Sequence, residues 1–253
     1  MRDTFVRTLI DIAKADPNVE LITGDLGFGV LKPYWEQLPD QFINAGIAEQ
    51  NMTSVAAGMA LEGKTVFTYS IGNFPTLRCL EQIRNDCAYP KANVKIVCVG
   101  GGFVYGSLGM IHDRIENFEI GKAIKIRDGE KVAVFSTGAI FDEIGSAVEI
   151  LEGSGINPAV YTFPTVKPID REVIEHCAEN YDLIVTVEEH NIVGGFGSAV
   201  AEVISELRSH GRLIRIGLND TYSSLVGNQK YLRSQFGLDA KGIADRILAE
   251  VGK

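Results

Sequence analysis

Glu49 is the residue whose setting is best suited to chemistry. It stands in Gly46-Ile47-Ala48-Glu49-Gln50-Asn51-Met52, between an extended segment (Gln41-Phe42-Ile43-Asn44) and a run of small residues that includes Ser54, Ala56, Ala57, Gly58 and Ala60. Small residues let a helix approach another backbone or a flat ligand closely. A carboxylate at the mouth of such a helix, flanked by Ile47 and Met52, is expected to be largely shielded from water. Desolvation favours a shared proton over a lone charge on a carboxylate. That is the requirement for holding a proton against a weakly basic ring nitrogen. The simpler reading of the same residue is an acidic group favoured by the positive end of a helix dipole, and spacing alone leaves both open.

The elements around Glu49 alternate. Residues 1–15 place Phe5, Val6, Leu9, Ile10, Ile12 and Ala13 on one helical face, ended by Asp16-Pro17-Asn18. Short strands are expected at 19–23, 40–44, 65–70 and 94–99, with the Glu49 helix running to about Leu61. A further helix follows Phe74, with Leu77, Leu80, Ile83 and Arg84 three and four apart. Strands alternating with helices predict a parallel α/β layer, whose ligands lie at the carboxyl ends of its strands. Asp25, Glu49, Phe74 and the Gly100-Gly101-Gly102 loop all fall at such ends. The turn Gly24-Asp25-Leu26-Gly27-Phe28-Gly29 lacks the full dinucleotide fingerprint and any Gly-Lys-Ser/Thr, so nucleotide binding is unsupported.

The chain has 253 residues, enough for one large or two ordinary domains with real cores. Its formal net charge of −9 argues against a broad nucleic-acid or anionic-membrane surface. No apolar run is long enough to span a bilayer. Cys79, Cys87, Cys98 and Cys177 show no metal-like spacing and no signal peptide precedes them, which reads as reduced cysteines of a cytoplasmic protein.

A second domain is expected from about Asn117, again a largely parallel layer with strands at 131–136, 157–162 and 183–188 and a helix from about 139 to Leu151. Gly194-Gly195-Phe196-Gly197 permits tight turning at a helix start. His176 and His210 are expected on helix surfaces, and His190 beside Glu188 and Glu189 at a site fringe or a subunit contact.

Several stretches together resemble the transketolase family. They are Gly46–Met52, Tyr69-Ser70-Ile71-Gly72-Asn73-Phe74, Glu81-Gln82-Ile83-Arg84-Asn85-Asp86, Gly100–Ser107 and Val187–Ser198. The resemblance is to the pyrimidine-binding and C-terminal domains, as in the smaller subunit of a split, two-gene transketolase. It implies two consecutive α/β domains, 1–116 and 117–253, each a largely parallel sheet flanked by helices. It also implies that Glu49 bonds the N1′ nitrogen of the aminopyrimidine of thiamine diphosphate and promotes the tautomer that takes the thiazolium C2 proton. The cofactor then serves as the electron sink in transfer of a two-carbon ketol unit from a ketose phosphate to an aldose phosphate. On the same basis Phe74 is the ring expected to stack on the aminopyrimidine, with Phe67 and Tyr69 as nearby candidates and Asp25 close to the cofactor.

Two departures qualify the resemblance. The Gly-Asp-Gly…Asn motif that holds the diphosphate through Mg²⁺ in this family is absent, and Arg127-Asp128-Gly129 reads as a turn before a strand. The complete site therefore calls for an N-terminal partner subunit that binds diphosphate and Mg²⁺, expected as an α2β2 heterotetramer with cofactors in the interfaces. In addition, Ile111-His112-Asp113-Arg114 runs almost directly into the second domain, where the family carries about 30 or more further residues after the position of Met110. His112 and Arg114 are candidates for what remains of that segment. A β subunit of a 2-oxo-acid dehydrogenase and a non-catalytic scaffold or regulatory partner of the N-terminal subunit are the alternatives.

Overall fold

The structure is a computed structural model that describes residues 2–100, 119–220 and 225–251. The chain divides into two compact units, Met1–Gly101 and Gly102–Lys253. The expected boundary at 116/117 lies outside the described residues, as do His112, Arg114 and the Gly101–Ser107 stretch.

In the first unit, α1 (Arg2–Ala15) leads into β1 (Val19–Thr23), α2 (Phe28–Gln37), β2 (Phe42–Asn44), α3 (Glu49–Leu61), β3 (Thr65–Ile71), a short α4 (Leu80–Gln82) and β4 (Val94–Val99). The four strands form a parallel sheet in the order β2-β1-β3-β4. β1 is buried along its whole length, as befits a central parallel strand, and its buried Glu20 is paired with Lys64 Nζ at 3.0 Å. Its alternate side chains go to opposite faces. Leu21 packs with Val6, Leu9, Leu31 and Tyr34 of α1 and α2, and Ile22 packs with Met52, Ala56 and Ala60 of α3. Of the face expected for α1, Val6, Leu9, Ile10 and Ala13 are buried while Ile12 is exposed.

Two local expectations are corrected. Residues 28–37 form α2 even though Pro33 lies inside it; the glycines of the preceding turn hide its start, because Gly27 caps it in the left-handed conformation at φ 81°. The segment after Phe74 is not one amphipathic helix. It passes from a 3₁₀ turn (Leu77–Cys79) through α4 to a π-helical stretch (Ile83–Ala88). Leu77 and Leu80, chosen by spacing as its apolar face, point outward, and the buried residues are Pro75, Cys79 and Cys87.

The second unit is a five-stranded sheet in the order β5-β7-β6-β8-β9, parallel except for β5 at its edge. The strands are β5 (Ile124–Arg127), β6 (Val132–Ser136), β7 (Ala159–Thr162), β8 (Leu183–Asn191) and β9 (Arg212–Leu218). Helices α5 (Phe141–Gly153) and α9 (Ala240–Leu248) cover one face, and α6 (Arg171–Asn180) and α7 (Phe196–Ser205) the other. A short α8 (Gln229–Gln235) precedes α9. The two edge strands β5 and β9 were not legible, because β5 (Ile124-Lys125-Ile126-Arg127) is short and half polar and β9 opens on Arg212. Arg127-Asp128-Gly129 is the turn between β5 and β6, as expected. His176 lies exposed on α6; His210, expected on a helix, sits in the loop before β9, its ring beside the carbonyl of Gly211.

Candidate active site

Parallel register brings the carboxyl ends of the first unit's strands to one edge. Thr23 of β1 pairs with Asn44 of β2 on one side and Tyr69 of β3 on the other. The connection after β1 leaves toward β2, while that after β3 leaves toward β4, which makes the β1/β3 pair a topological switch point where open α/β sheets bind ligands. The loop with Asp25 follows β1 and the loop with Phe74 follows β3, so both flank that point.

Glu49 is the first residue of α3 and is only 2% exposed. Its side chain lies against Gly24, where a methyl group would stand 3.4 Å from Glu49 Cγ and 3.4 Å from the carbonyl oxygen of Gly46. Glycine at 24 leaves the carboxylate room at the strand end. The carboxylate has a cationic partner: Arg78 Nη1 donates to Glu49 Oε2 at 2.9 Å. The same guanidinium stands over the Phe74 ring, 4.4 Å from its centroid. One planar cation thus bonds the carboxylate and covers the aromatic face. Arg78 was not singled out from sequence, because its partner lies 29 residues away and no local spacing couples them.

The backbone under Arg78 is fixed. Its N–H donates to Asn73 O at 3.2 Å, and its carbonyl accepts from Gln50 Nε2 at 3.1 Å. Cys79 beside it is buried, and burial pushes its thiol above the ordinary value, with the Glu49 charge adding to the rise and Thr53 and Arg78 opposing it. A thiol held neutral is a poor nucleophile, so the cysteine packs and the carboxylate is the group suited to proton chemistry.

Asp25 is brought to the same edge. It adopts φ 56°, and Asn44 braces it: Asn44 Oδ1 accepts from the N–H groups of Asp25 and Gly46, each at 3.0 Å, and Asn44 Nδ2 donates to Asp25 Oδ1 at 3.1 Å. Tyr69 stands beside Thr23 at this edge, with its ring and that of Phe67 turned to the face under α1. On β3 their side chains alternate with Val66, which packs on α3, and go to the opposite face. Tyr69 stacks on Phe5 at 6.1 Å and Phe67 lies 6.2 Å from the same ring. Both contribute to the core under α1, whereas Phe74 is 41% exposed.

In the second unit, Glu188 is buried and accepts from the backbone N–H groups of Phe196 (2.7 Å) and Gly197 (2.8 Å) at the start of α7. A methyl group at Gly195 would meet Glu188 Oε2 at 2.2 Å, which explains the glycines there as close packing around a helix cap. Exposed His190 lies 3.7 Å from Glu188, at the rim of this structural cap. Among the described residues there is no cluster of His, Cys, Asp and Glu able to hold a metal ion.

The residues present fit an aminopyrimidine. A buried carboxylate and an exposed ring already accept one planar, hydrogen-bond-donating cation. The fold is that of two consecutive α/β units, the first with Asp25, Glu49 and Phe74 at one end of a parallel sheet. Comparison with known proteins makes this specific. Residues 1–125 match the family described as Transketolase, pyrimidine binding domain, and residues 121–243 match Transketolase, C-terminal domain. The chain is 34% identical to a putative transketolase C-terminal section of Methanocaldococcus jannaschii, over all of this chain and 96% of that protein. It is 31% identical to one of the subunits of an apulose-4-phosphate transketolase of Phocaeicola vulgatus, over all of this chain and 97% of that one. A solved structure described as a split gene transketolase, inactive beta4 tetramer, matches with a TM-score of 0.86 and 26% identity, covering 98% of this chain and 97% of the other. The chain belongs to the transketolase family, as one of its split C-terminal sections, and that family depends on thiamine diphosphate. The first alignment runs over 309 positions while this chain has 253 residues, so at 56 positions or more the relative has a residue and this chain has none (309 minus 253).

Proposed function

We propose that this chain is the C-terminal subunit of a thiamine-diphosphate-dependent transketolase that moves a two-carbon ketol unit from a ketose phosphate to an aldose phosphate. The observation that carries this reading is Glu49: a buried carboxylate at the strand-end edge, in reach of an exposed aromatic ring, with one displaceable cation as its partner. Thiamine diphosphate, when bound, supplies the electron sink for carbon–carbon cleavage. The chain's own part is to bind and orient the ring on Phe74, hold a proton at its N1′ atom through Glu49, and brace the loop at Asp25 through Asn44.

A relative described as a C-terminal section implies a separate N-terminal one. This supports a partner subunit that holds the diphosphate and Mg²⁺, in an assembly of two copies of each chain. The neighbour described as inactive in a beta4 tetramer supports the same dependence. The test is ketol transfer by this chain mixed with its N-terminal subunit, thiamine diphosphate and Mg²⁺, with each subunit alone as control. Turnover confined to the mixture is expected; turnover by this chain alone would overturn the dependence on a partner.

The 56 or more positions missing against the relative favour a second reading, a cofactor-holding or regulatory subunit without turnover. A stable complex that binds cofactor and transfers no ketol unit from phosphorylated or free ketoses would establish it.

A further inference from the structure

Arg78 satisfies both groups that the site offers to a pyrimidine ring. Its guanidinium is flat, donates a hydrogen bond to Glu49 Oε2 at 2.9 Å and lies over the Phe74 ring at 4.4 Å. An aminopyrimidine held by this site would use the same carboxylate as its hydrogen-bond partner and the same ring face for stacking. Arg78 and the ring would compete for Glu49 Oε2 and for the covered face of Phe74.

We propose that Arg78 is a built-in surrogate for the cofactor's pyrimidine ring, filling its place in the cofactor-free chain and leaving when the ring docks. The proposal rests on the cofactor reading above. Three features support exchange over permanent residence. The Arg78 side chain is 46% exposed, so water is at hand to receive the released cation, whereas Glu49 at 2% has no such outlet. The Arg78 backbone is held at both its N–H and its carbonyl, so only the side chain need turn. An exposed side chain changes rotamer in picoseconds to nanoseconds, so exchange does not require the sheet edge to open.

The surrogate stabilises the buried carboxylate. A carboxylate as buried as Glu49 is costly to leave uncompensated, and Arg78 compensates it until the ring does. The same contact lowers apparent cofactor affinity, because only the fraction of molecules with Arg78 swung out can bind. If the closed arrangement is about 90% populated, apparent affinity is reduced about tenfold.

The test is the Kd of thiamine diphosphate, at fixed Mg²⁺, for the assembled protein carrying wild-type, Arg78→Met, Arg78→Lys or Glu49→Gln chains. Inorganic pyrophosphate, which has no pyrimidine, serves as the comparison ligand. Arg78→Met is expected to bind thiamine diphosphate about tenfold more tightly with pyrophosphate affinity unchanged. Arg78→Lys keeps the charge but cannot stack and bond as a flat fork, so it should tighten binding by a smaller factor; it also carries the test should the Met variant fail to fold. Unchanged or weaker thiamine diphosphate binding in both Arg78 variants overturns the proposal. So does equal tightening for pyrophosphate, which would mark an effect unrelated to the ring. Failure of the underlying reading looks different: thiamine diphosphate binding absent from the wild-type assembly, or untouched by Glu49→Gln, removes the cofactor assignment and the surrogate with it.

Discussion

Each unit of this chain holds a buried glutamate near the carboxyl end of a parallel strand and next to a helix start, and the two are satisfied in opposite ways. Glu188 is gripped by two backbone N–H groups of α7, which cannot leave without unwinding the helix. Its neighbour Glu189 is closed off by Arg233, which donates from both Nε and Nη2 and is itself buried, with Gln229 donating to the same carboxylate. Among the described residues, Glu49's side-chain partner is one half-exposed arginine from a 3₁₀ turn. A carboxylate bonded by fixed donors is part of the scaffold. A carboxylate bonded by a mobile one is available to a ligand. The difference lies in the partners, since burial is nearly the same.

The sharpest way to break this comparison is to neutralise Glu49. Glu49→Gln should lower ketol transfer by the assembled enzyme by about 10²- to 10⁴-fold, the range for removing a positioned proton-handling group, with assembly and urea midpoint nearly unchanged. Full turnover in that variant would remove Glu49 from the chemistry. In the second unit the effect should fall on stability. Arg233→Met leaves Glu189 buried without its cation and should cost about 3–5 kcal/mol in equilibrium unfolding. Glu188→Ala leaves two buried N–H groups at α7 without an acceptor and should cost about 2–4 kcal/mol. A stable Glu188→Ala variant with altered turnover would reverse the roles assigned to the two glutamates. The smallest effect is expected at Gly24→Ala, whose methyl group would touch Glu49 Cγ at 3.4 Å, an ordinary van der Waals contact. Stability should change by about 1 kcal/mol or less, with cofactor affinity falling a few-fold by isothermal titration.

The four strands, α1 and α3 of the first unit were legible because each carries its own local pattern. The buried run of β1, the apolar face of α1 and the small residues of α3 are local patterns. Glu49 was legible as a helix-start carboxylate and, through the resemblance around Gly46–Met52, as a candidate proton-holding group. Phe67 and Tyr69 show where this reading ends. Alternation says that they share a face, but which face covers which helix depends on packing. Leu77 and Leu80 show the same limit, since helical spacing groups them without saying that the group faces inward.

The sequence by itself determined the family, the two α/β units and the carboxylate at the mouth of α3, because these are written in contiguous motifs and short-range periods. Only the tertiary structure decided that Arg78 joins Glu49 to Phe74, and that the rings of Phe67 and Tyr69 turn to the face under α1. The physical reason is that an ion pair across 29 residues exists only once β1, β2 and β3 have aligned their carboxyl ends, and no local pattern encodes that alignment.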